Sequence, residues 1–234
     1  VSIKHPDSEA FIDAKMEEGK VTGANVSVKL DDAFMQAAID GKTYVQQWPI
    51  DSDSPLVKKE ISARDLWQKI VHNAWKSAEP GVLFWDTILR ESIPDCYADL
   101  GFATVSTNPC GEIPLCPYDS CRLLSINLFS YVDKPFTADA TFNFDKFKQH
   151  VQYAQRIMDD IVDLEMEKID QIIEKIKADP ENDEVKETEY HLWEKIKRKS
   201  SMGRRTGVGI TAEGDMLAAL GLRYGTEEAT DFSV

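Results

Sequence analysis

Three side chains that could act on one substrate lie two residues apart near the middle of the chain: Asn108, Cys110 and Glu112. In an extended or tightly looped backbone, this spacing points all three to one side. Pro109 and Gly111 separate them and predict irregular backbone rather than helix. A hydrogen-bonding amide, a thiol and a carboxylate that can take up a proton are suited to redox chemistry on a hydroxylated substrate.

A second thiol, Cys121, follows Cys110 after eleven residues and directly precedes a strand-like run. It could act as a reserve thiol for the same chemistry. With Cys96 and Cys116 the cysteines are separated by 14, 6 and 5 positions, which matches no zinc pattern of the CxxC type. The cysteines therefore indicate redox-active thiols in a reducing cytoplasm rather than a disulfide scaffold. A structural cysteine in a surface loop is the alternative for any one of them.

These two segments resemble the active-site loop of a known enzyme family. Residues 106–115 are Ser-Thr-Asn-Pro-Cys-Gly-Glu-Ile-Pro-Leu, and residues 121–128 are Cys-Arg-Leu-Leu-Ser-Ile-Asn-Leu. Both are similar to ribonucleotide reductases, specifically to the adenosylcobalamin-dependent class. A His-Pro-Asp helix, a Gly-Lys-Val-Thr-Gly loop and a Gly-Arg-Arg segment occur in the family's order. The resemblance runs through nearly the whole chain.

The resemblance implies a role for each residue of the central segment. Cys110 would carry a thiyl radical that abstracts the ribose 3′-hydrogen, while Glu112 would take the 3′-hydroxyl proton. Asn108 would orient the sugar hydroxyls and that carboxylate. Cys121 and a cysteine outside this chain would supply two electrons as the 2′-hydroxyl leaves as water. The implied substrate-binding residues are those of the same segment: Asn108, Pro109, Cys110, Gly111 and Glu112.

The resemblance also implies the fold, which is a ten-stranded α/β barrel made of two half-barrels with the thiol-bearing loop inserted through its centre. Residues 1–234 would be an internal portion of one catalytic barrel domain, with the active-site loop at about 104–116. The first residue is not Met, which fits that expectation. The family's upstream redox cysteine, downstream phosphate loop and C-terminal thiol pair would lie outside this chain, so that the chain alone is expected to be inactive.

A glycine-bearing loop at about residues 17–25 precedes a predicted strand at Val26–Leu30. By the same resemblance, such a loop would signal between an allosteric nucleotide and the substrate base. Lys20, Thr22 and Asn25 are then candidate contacts. An ordinary turn is the alternative.

The elements around these loops follow from apolar periodicity and capping residues. Asp31 is a predicted helix cap, and Tyr44–Trp48 is a predicted strand followed by a polar connection to residue 60. Ser62 begins a capping-box-like helix start. The face of that helix is predicted to comprise Leu66, Ile70, Val71 and Trp75. Residues 82–85 are predicted to form a short buried strand.

A long helix from Phe144 has apolar residues at helical spacing, and residues 179–183 break it before a second amphipathic helix. The pattern predicts a helical hairpin over about residues 145–200. The hairpin would pack on the domain, with a partner-binding arm as the alternative. It also looks like an insertion of large cobalamin-dependent members of the family.

The net charge of −14 argues against broad nucleic-acid binding, and no apolar run is long enough to span a membrane. The charge does not exclude a nucleotide, because helix N-termini and glycine turns bind phosphate locally. The partners implied by the resemblance are a ribonucleotide substrate, a deoxynucleotide or ATP effector, and a thioredoxin-type reductant or external dithiol. A homodimer is a further expectation.

Adenosylcobalamin is the cofactor implied by the resemblance alone, since the four histidines are scattered and no cobalt ligand follows from a motif. Two other interpretations stay open. One is the large subunit of a diiron-dependent reductase, in which the step between the two thiols tends to exceed eleven residues. The other is a non-catalytic nucleotide-binding or assembly module, which would be expected to have lost Cys110 or Glu112.

Overall fold

The computed structural model describes residues 1–17 and 19–234 of the chain. These residues form two compact units, the first comprising Val1–Pro117 and the second Tyr118–Val234. Each unit contains one pair of parallel strands whose connection includes helices. Each unit also has its own buried apolar residues, so each can hold its functional segment on a packed scaffold.

The first unit alternates helices and short strands: α1 (Ser8–Ile12), β1 (Ser27–Leu30), α2 (Asp32–Asp40), β2 (Thr43–Trp48), β3 (Val57–Ser62), α3 (Ala63–Ser77), β4 (Gly81–Phe84), α4 (Trp85–Glu91), β5 (Ser106–Thr107) and β6 (Pro114–Leu115). A 3-10 helix, Ile93–Leu100, lies between α4 and β5. Strands β1 and β4 are parallel, with Val28 opposite Val82. β2 pairs with β3 and β5 with β6, and both pairs are antiparallel.

Helices α2 and α3 begin where the sequence predicts, because a side chain caps each of them. Asp31 Oδ1 accepts a hydrogen bond from the Phe34 amide at 2.7 Å, and Ser62 Oγ accepts one from the Asp65 amide at 3.3 Å. The inner faces of both helices share one buried cluster with β1: Val28, Leu30, Phe34, Ala38, Leu66 and Ile70. This cluster holds β1 in place, and β1 in turn carries contacts to the candidate site.

Two strand predictions for this unit are wrong in part. Val57–Ser62, predicted as polar connection, is strand β3, and most of its residues are exposed. An exposed hairpin strand does not need the alternation of apolar residues that makes strands recognisable. Strand β4 ends at Phe84 rather than at Trp85, and most of it is exposed rather than buried.

The predicted face of α3 is also only half right. Leu66 and Ile70 are buried, whereas Val71 is 50% and Trp75 79% exposed. Asn73 is buried instead, and its amide donates to the Ile12 carbonyl at 3.2 Å. The core-facing stripe therefore includes a polar residue whose partner lies far away in sequence, which helical periodicity does not reveal.

The second unit contains β7 (Leu123–Asn127), β8 (Val132–Asp133), β9 (Thr141–Phe142), α5 (Phe144–Ala178), α6 (Asp183–Gly203), β10 (Gly207–Thr211), α7 (Glu213–Ala219) and α8 (Glu227–Ser233). Strands β7 and β10 are parallel, with Leu123 opposite Gly207 and Asn127 opposite Thr211. A 3-10 helix, Leu128–Tyr131, follows β7 directly.

Helices α5 and α6 span the part of the chain predicted as a helical hairpin. Asn143 caps α5 through a bond from the Lys146 amide at 3.0 Å, and Asn182 caps α6 through one from the Val185 amide, also at 3.0 Å. The buried residues of α5 follow helical spacing: Ala154, Met158, Val162, Ile169, Ile173 and Ile176. Whether this hairpin is an insertion into a larger domain stays a prediction.

The described residues contain five two-stranded sheets and no closed barrel. The mixed α/β class is therefore confirmed, while the ten-stranded closure stays a prediction. Parallel pairing with helical connections is nevertheless the local arrangement from which α/β barrels are built. In the same described residues, no helix is long and apolar enough to cross a bilayer.

Candidate active site

The predicted thiol-bearing loop is the turn of the hairpin formed by β5 and β6, in which Thr107 lies opposite Pro114. The Asn108 amide donates to the Ile113 carbonyl at 3.2 Å, and the Gly111 amide donates to the Asn108 carbonyl at 3.0 Å. In addition, Asn108 Oδ1 accepts a bond from the Ile113 amide at 2.9 Å. Asn108 thus closes the turn through its backbone and its side chain together.

Gly111 occupies a position in the turn that a larger residue would strain. Its φ angle is +89°, in the left-handed region that side chains with a Cβ rarely adopt. A Cβ built there would lie 3.0 Å from Leu83 Cδ2, on strand β4. The turn therefore packs closely on the β1–β4 pair, and glycine permits both the conformation and the approach.

Cys110 and Glu112 are exposed at this turn, on either side of Gly111. Asn25 lies just before β1, and its side-chain nitrogen Nδ2 is 4.0 Å from Cys110 Sγ, at the outer limit of a hydrogen bond to sulfur. Pro109 is exposed and Asn108 partly buried. The turn thus exposes the thiol of Cys110 and the carboxylate of Glu112, while the side chain of Asn108 bonds to the backbone of the turn. That all three side chains point to one side stays a prediction.

The base of the hairpin is tied to β1 by a lysine that sequence reasoning missed. Lys29 Nζ donates to the Val105 carbonyl at 2.6 Å and lies 3.5 Å from the centre of the Trp85 ring. Partial burial lowers the pKa of this ammonium group from its ordinary value. No motif could reveal the role of Lys29, because one of its partners is a backbone carbonyl 76 residues away.

The candidate contacts in the loop at residues 17–25 do not all lie at the turn. Asn25 contacts Cys110, whereas Lys20 Nζ lies 2.7 Å from the Glu17 carboxylate and Thr22 is exposed. Residue 18 of this loop lies outside the described residues. The structure therefore brings one of the three candidates to the thiol.

Cys121 belongs to the second unit, two residues before β7, and it is exposed. Its neighbour Arg122 is buried and binds the Glu165 carboxylate of α5 through Nε and Nη2. The other two cysteines differ in environment, since Cys96 is exposed and Cys116 is buried. The resemblance assigns no role to either of them, and burial of Cys116 fits a structural thiol.

The comparison with known families covers the complete chain. Residues 1–234 match the family model described as "Ribonucleotide reductase, barrel domain". The chain belongs to the ribonucleotide reductase family.

Several vitamin B12-dependent reductases are similar to this chain over two thirds of its length or more. The chain is 33% identical over 232 residues to a vitamin B12-dependent ribonucleoside-diphosphate reductase of Thermoplasma acidophilum, covering 99% of this chain and 26% of the relative. It is 28% identical to the protein of the same name from Mycobacterium tuberculosis, covering 98% of this chain and 28% of the relative. It is 26% identical to a vitamin B12-dependent ribonucleotide reductase of Streptomyces clavuligerus, covering 68% and 18%. The chain thus spans about a quarter of the length of the first two.

In the described part of the chain, no group of three or more histidine, cysteine or acidic side chains could hold a metal ion. All four histidines have local partners; for example, His150 Nδ1 lies 3.0 Å from the Tyr131 hydroxyl, and His72 contacts the Trp75 ring. What does fit a radical-generating cofactor is the exposed position of Cys110. The chain supplies a reachable thiol, and we assign no residue to holding the cofactor.

Proposed function

We propose that this chain is the part of an adenosylcobalamin-dependent ribonucleotide reductase that carries the radical-bearing thiol and one of the two reducing thiols. The observation that carries the proposal is the hairpin turn that exposes Cys110 and Glu112 two residues apart, in a chain that matches the reductase barrel domain throughout. The names of the relatives support dependence on vitamin B12. They do not favour a diiron-dependent subunit or a non-catalytic module.

The roles proposed for the turn residues are those that the family resemblance implies, and the chemistry of each side chain suits its role. A thiyl radical on Cys110 abstracts the 3′-hydrogen of the ribose, and Glu112 takes the proton of the 3′-hydroxyl group. Asn108 uses its side-chain oxygen to close the turn, which leaves its amide hydrogens to orient the sugar hydroxyls. Pro109 and Gly111 keep the backbone of this turn irregular, so that the bound substrate meets the thiol and the carboxylate together.

The reducing step requires two thiols. As the 2′-hydroxyl leaves as water, Cys121 and a second cysteine outside this chain form a disulfide, and the two electrons from the thiols reduce C2′. A thioredoxin-type protein or an external dithiol then restores both thiols by disulfide exchange. The exposed position of Cys121 supports such an exchange, because the attacking thiolate must reach it.

Adenosylcobalamin, when bound, supplies the radical that reaches Cys110. The chain itself must shield a radical thiol from water once substrate is present, and a loop inside a barrel would do so. We therefore propose that the two parallel strand pairs are parts of the ten-stranded barrel of the family. Cytoplasmic location and homodimer formation stay predictions.

The loop at residues 17–25 is proposed to carry effector information to the site. The 4.0 Å contact between Asn25 and Cys110 supports this proposal, because it places the last residue of the loop beside the reactive thiol. A deoxynucleotide or ATP bound elsewhere would act through the loop on the substrate base, with Lys20 and Thr22 as the remaining candidate contacts. A change in effector preference on substitution of Lys20 or Thr22 would support these two assignments.

The experiment that tests the function uses the complete protein with adenosylcobalamin, an external dithiol and each of the four ribonucleotides as di- and triphosphate. We expect deoxynucleotide to form without any second protein. Activity that needs an added diiron subunit would overturn the cofactor assignment. Absence of product under both conditions, with a folded protein, would overturn the proposed activity.

A further inference from the structure

The residue after the second thiol, Arg122, is buried and forms an ion pair with a partly exposed carboxylate. Arg122 is 7% exposed and binds the Glu165 carboxylate bidentately, with Nη2 at 2.6 Å from one oxygen and Nε bonded to the other. Arg122 Nη2 also donates to Ser200 Oγ at 3.0 Å, and Nη1 donates to the Arg205 carbonyl at 2.9 Å. One guanidinium group thereby joins the start of β7 to α5, to α6 and to the segment before β10.

The residues before and after the thiol are tied to the same elements. Asp119, two residues before Cys121, forms an ion pair with the Arg205 side chain. The Arg122 carbonyl accepts a bond from the Gly207 amide at 2.8 Å. The backbone around the exposed Cys121 is therefore fixed on both sides, although the thiol itself lies outside β7.

This ion pair joins a buried arginine to a carboxylate whose side chain is 29% exposed, and it is a weak source of stability because desolvation of the charges offsets their attraction. An apolar pair of the same volume would hold the helices against β7 equally well. A bidentate arginine–carboxylate pair adds a fixed geometry, since its two parallel hydrogen bonds set the orientation of both groups. A fixed geometry matters most next to a side chain that must meet its reactant at a set position.

We propose that Arg122, oriented by Glu165, is a positioning residue that presents the Cys121 thiol for disulfide formation. The inference rests on the proposed function, in which Cys121 is one of the two reducing thiols. Thiol–disulfide chemistry depends on the access and approach of the attacking sulfur. A displacement of about 1 Å is enough to slow such a reaction on the order of a hundredfold.

The test uses the complete protein in a single turnover with adenosylcobalamin and substrate but without external reductant. The fraction of Cys121 in a disulfide is followed by mass spectrometry, alongside the deoxynucleotide formed. In Glu165→Gln, we expect disulfide formation at Cys121 to slow by about ten- to a hundredfold. The substrate KM should stay unchanged, because the residues that bind substrate in the turn at Cys110 are intact.

Asp163→Asn is the matched control. Asp163 lies on the same helix and forms a single, more exposed ion pair with Arg204 at 2.8 Å, and that pair does not involve residues 119–122. We expect this variant to form the Cys121 disulfide at the wild-type rate. Equal slowing in both variants would mean general loosening of the helices and would overturn the positioning role.

Ser200→Ala covers the case in which Glu165→Gln fails to fold, since it removes the hydrogen bond from Arg122 and the one to Glu165 but leaves both charges paired. We expect a slowing of about two- to fivefold, less than in Glu165→Gln, because the bidentate ion pair itself stays intact. A wild-type rate in the folded variants would overturn the inference and leave the proposed function intact. If wild-type protein makes deoxynucleotide without oxidising Cys121, the proposed role of Cys121 fails, and this inference fails with it.

Discussion

At the scale of single residues, some residues of the turn at Cys110 shape its backbone, and others are exposed on it for chemistry. Asn108 and Gly111 build the turn, through the bond to the Ile113 amide and through a φ of +89°. Cys110 and Glu112 are exposed on it. Substitutions of Gly111 should therefore change stability, and substitutions of Cys110 or Glu112 should change chemistry. Substitution of Asn108 should change both, because its side chain closes the turn and is also proposed to orient the sugar hydroxyls.

Cys110→Ser in the complete protein should abolish deoxynucleotide formation while substrate binding survives. A serine hydroxyl gives up its hydrogen atom far less readily than a thiol, so the radical cannot form there. Product formation and equilibrium nucleotide binding are the two measurements. Cys96→Ser, at another exposed thiol, is the control and should stay active. Normal turnover by the Cys110 variant would rule out its radical role.

Gly111→Ala should lower the free energy of unfolding by about 1–2 kcal/mol, because alanine is strained in the left-handed region. The added Cβ would also press on Leu83 Cδ2. Gly209→Ala is a suitable control, since nothing lies within 4 Å of a Cβ at that position of β10 and its φ is unexceptional. Denaturant unfolding of both variants compares the two. Equal stability would show that the turn tolerates a side chain.

At the scale of elements, the β5–β6 hairpin is attached to the β1–β4 pair at its turn and at its base. Gly111 packs near Leu83 of β4, and Lys29 of β1 bonds the Val105 carbonyl. The hairpin has only two paired residues in each strand. Such a short hairpin is marginal by itself, so these attachments decide how firmly the thiol is held.

Lys29→Met should loosen the hairpin by removing its bond to the Val105 carbonyl and its charge over the Trp85 ring. We expect faster hydrogen exchange at the Val105 and Asn108 amides, which pair with the Leu115 and Ile113 carbonyls. Lys42→Met, at an exposed lysine paired with Asp40, is the control and should leave these amides protected. Unchanged hydrogen exchange in Lys29→Met would show that Lys29 does not hold the hairpin.

The same lysine gives a prediction for the dependence of stability on pH. Burial lowers the pKa of Lys29 in the folded chain below its unfolded value of 10.5. Between the folded value and 10.5, the unfolded state binds more protons, so stability rises with pH. The unfolding free energy of the wild type, minus that of Lys29→Met, should therefore increase as pH rises from 7 towards 10.5. A constant or falling difference would contradict the lowered pKa.

At the scale of the whole molecule, the chain is a barrel-domain sequence that spans about a quarter of the length of its first relatives. Two compact units, each with one parallel strand pair, are what the described residues form. Since a single pair of parallel strands cannot enclose a substrate, catalysis by the chain alone is not expected.

The isolated 234-residue chain should show no ribonucleotide reduction with adenosylcobalamin, dithiol and all four substrates. The reason is that the second reducing thiol and further barrel strands are proposed to lie outside it. Deoxynucleotide analysis after prolonged incubation is the measurement, with the complete protein as positive control. Robust turnover by this chain would show that its own residues suffice.

The sequence by itself determined the family, the thiol-bearing segment and most element types. Asn-Pro-Cys-Gly-Glu and the capping residues Asp31 and Ser62 are local signals, because each acts on backbone a few residues away. The long apolar period of α5 was readable for the same reason.

Only the tertiary structure decided which distant residues serve the two thiols. Lys29 bonds a carbonyl 76 residues away, Asn25 reaches Cys110 across 85 positions, and Arg122 meets Glu165 across 43. Such contacts arise from the packing of parallel strands and helices, and no periodicity or motif in one sequence records them. The exposed strand β3 was not predicted, because pairing with β2 makes it a strand and its own sequence has no strand-like pattern.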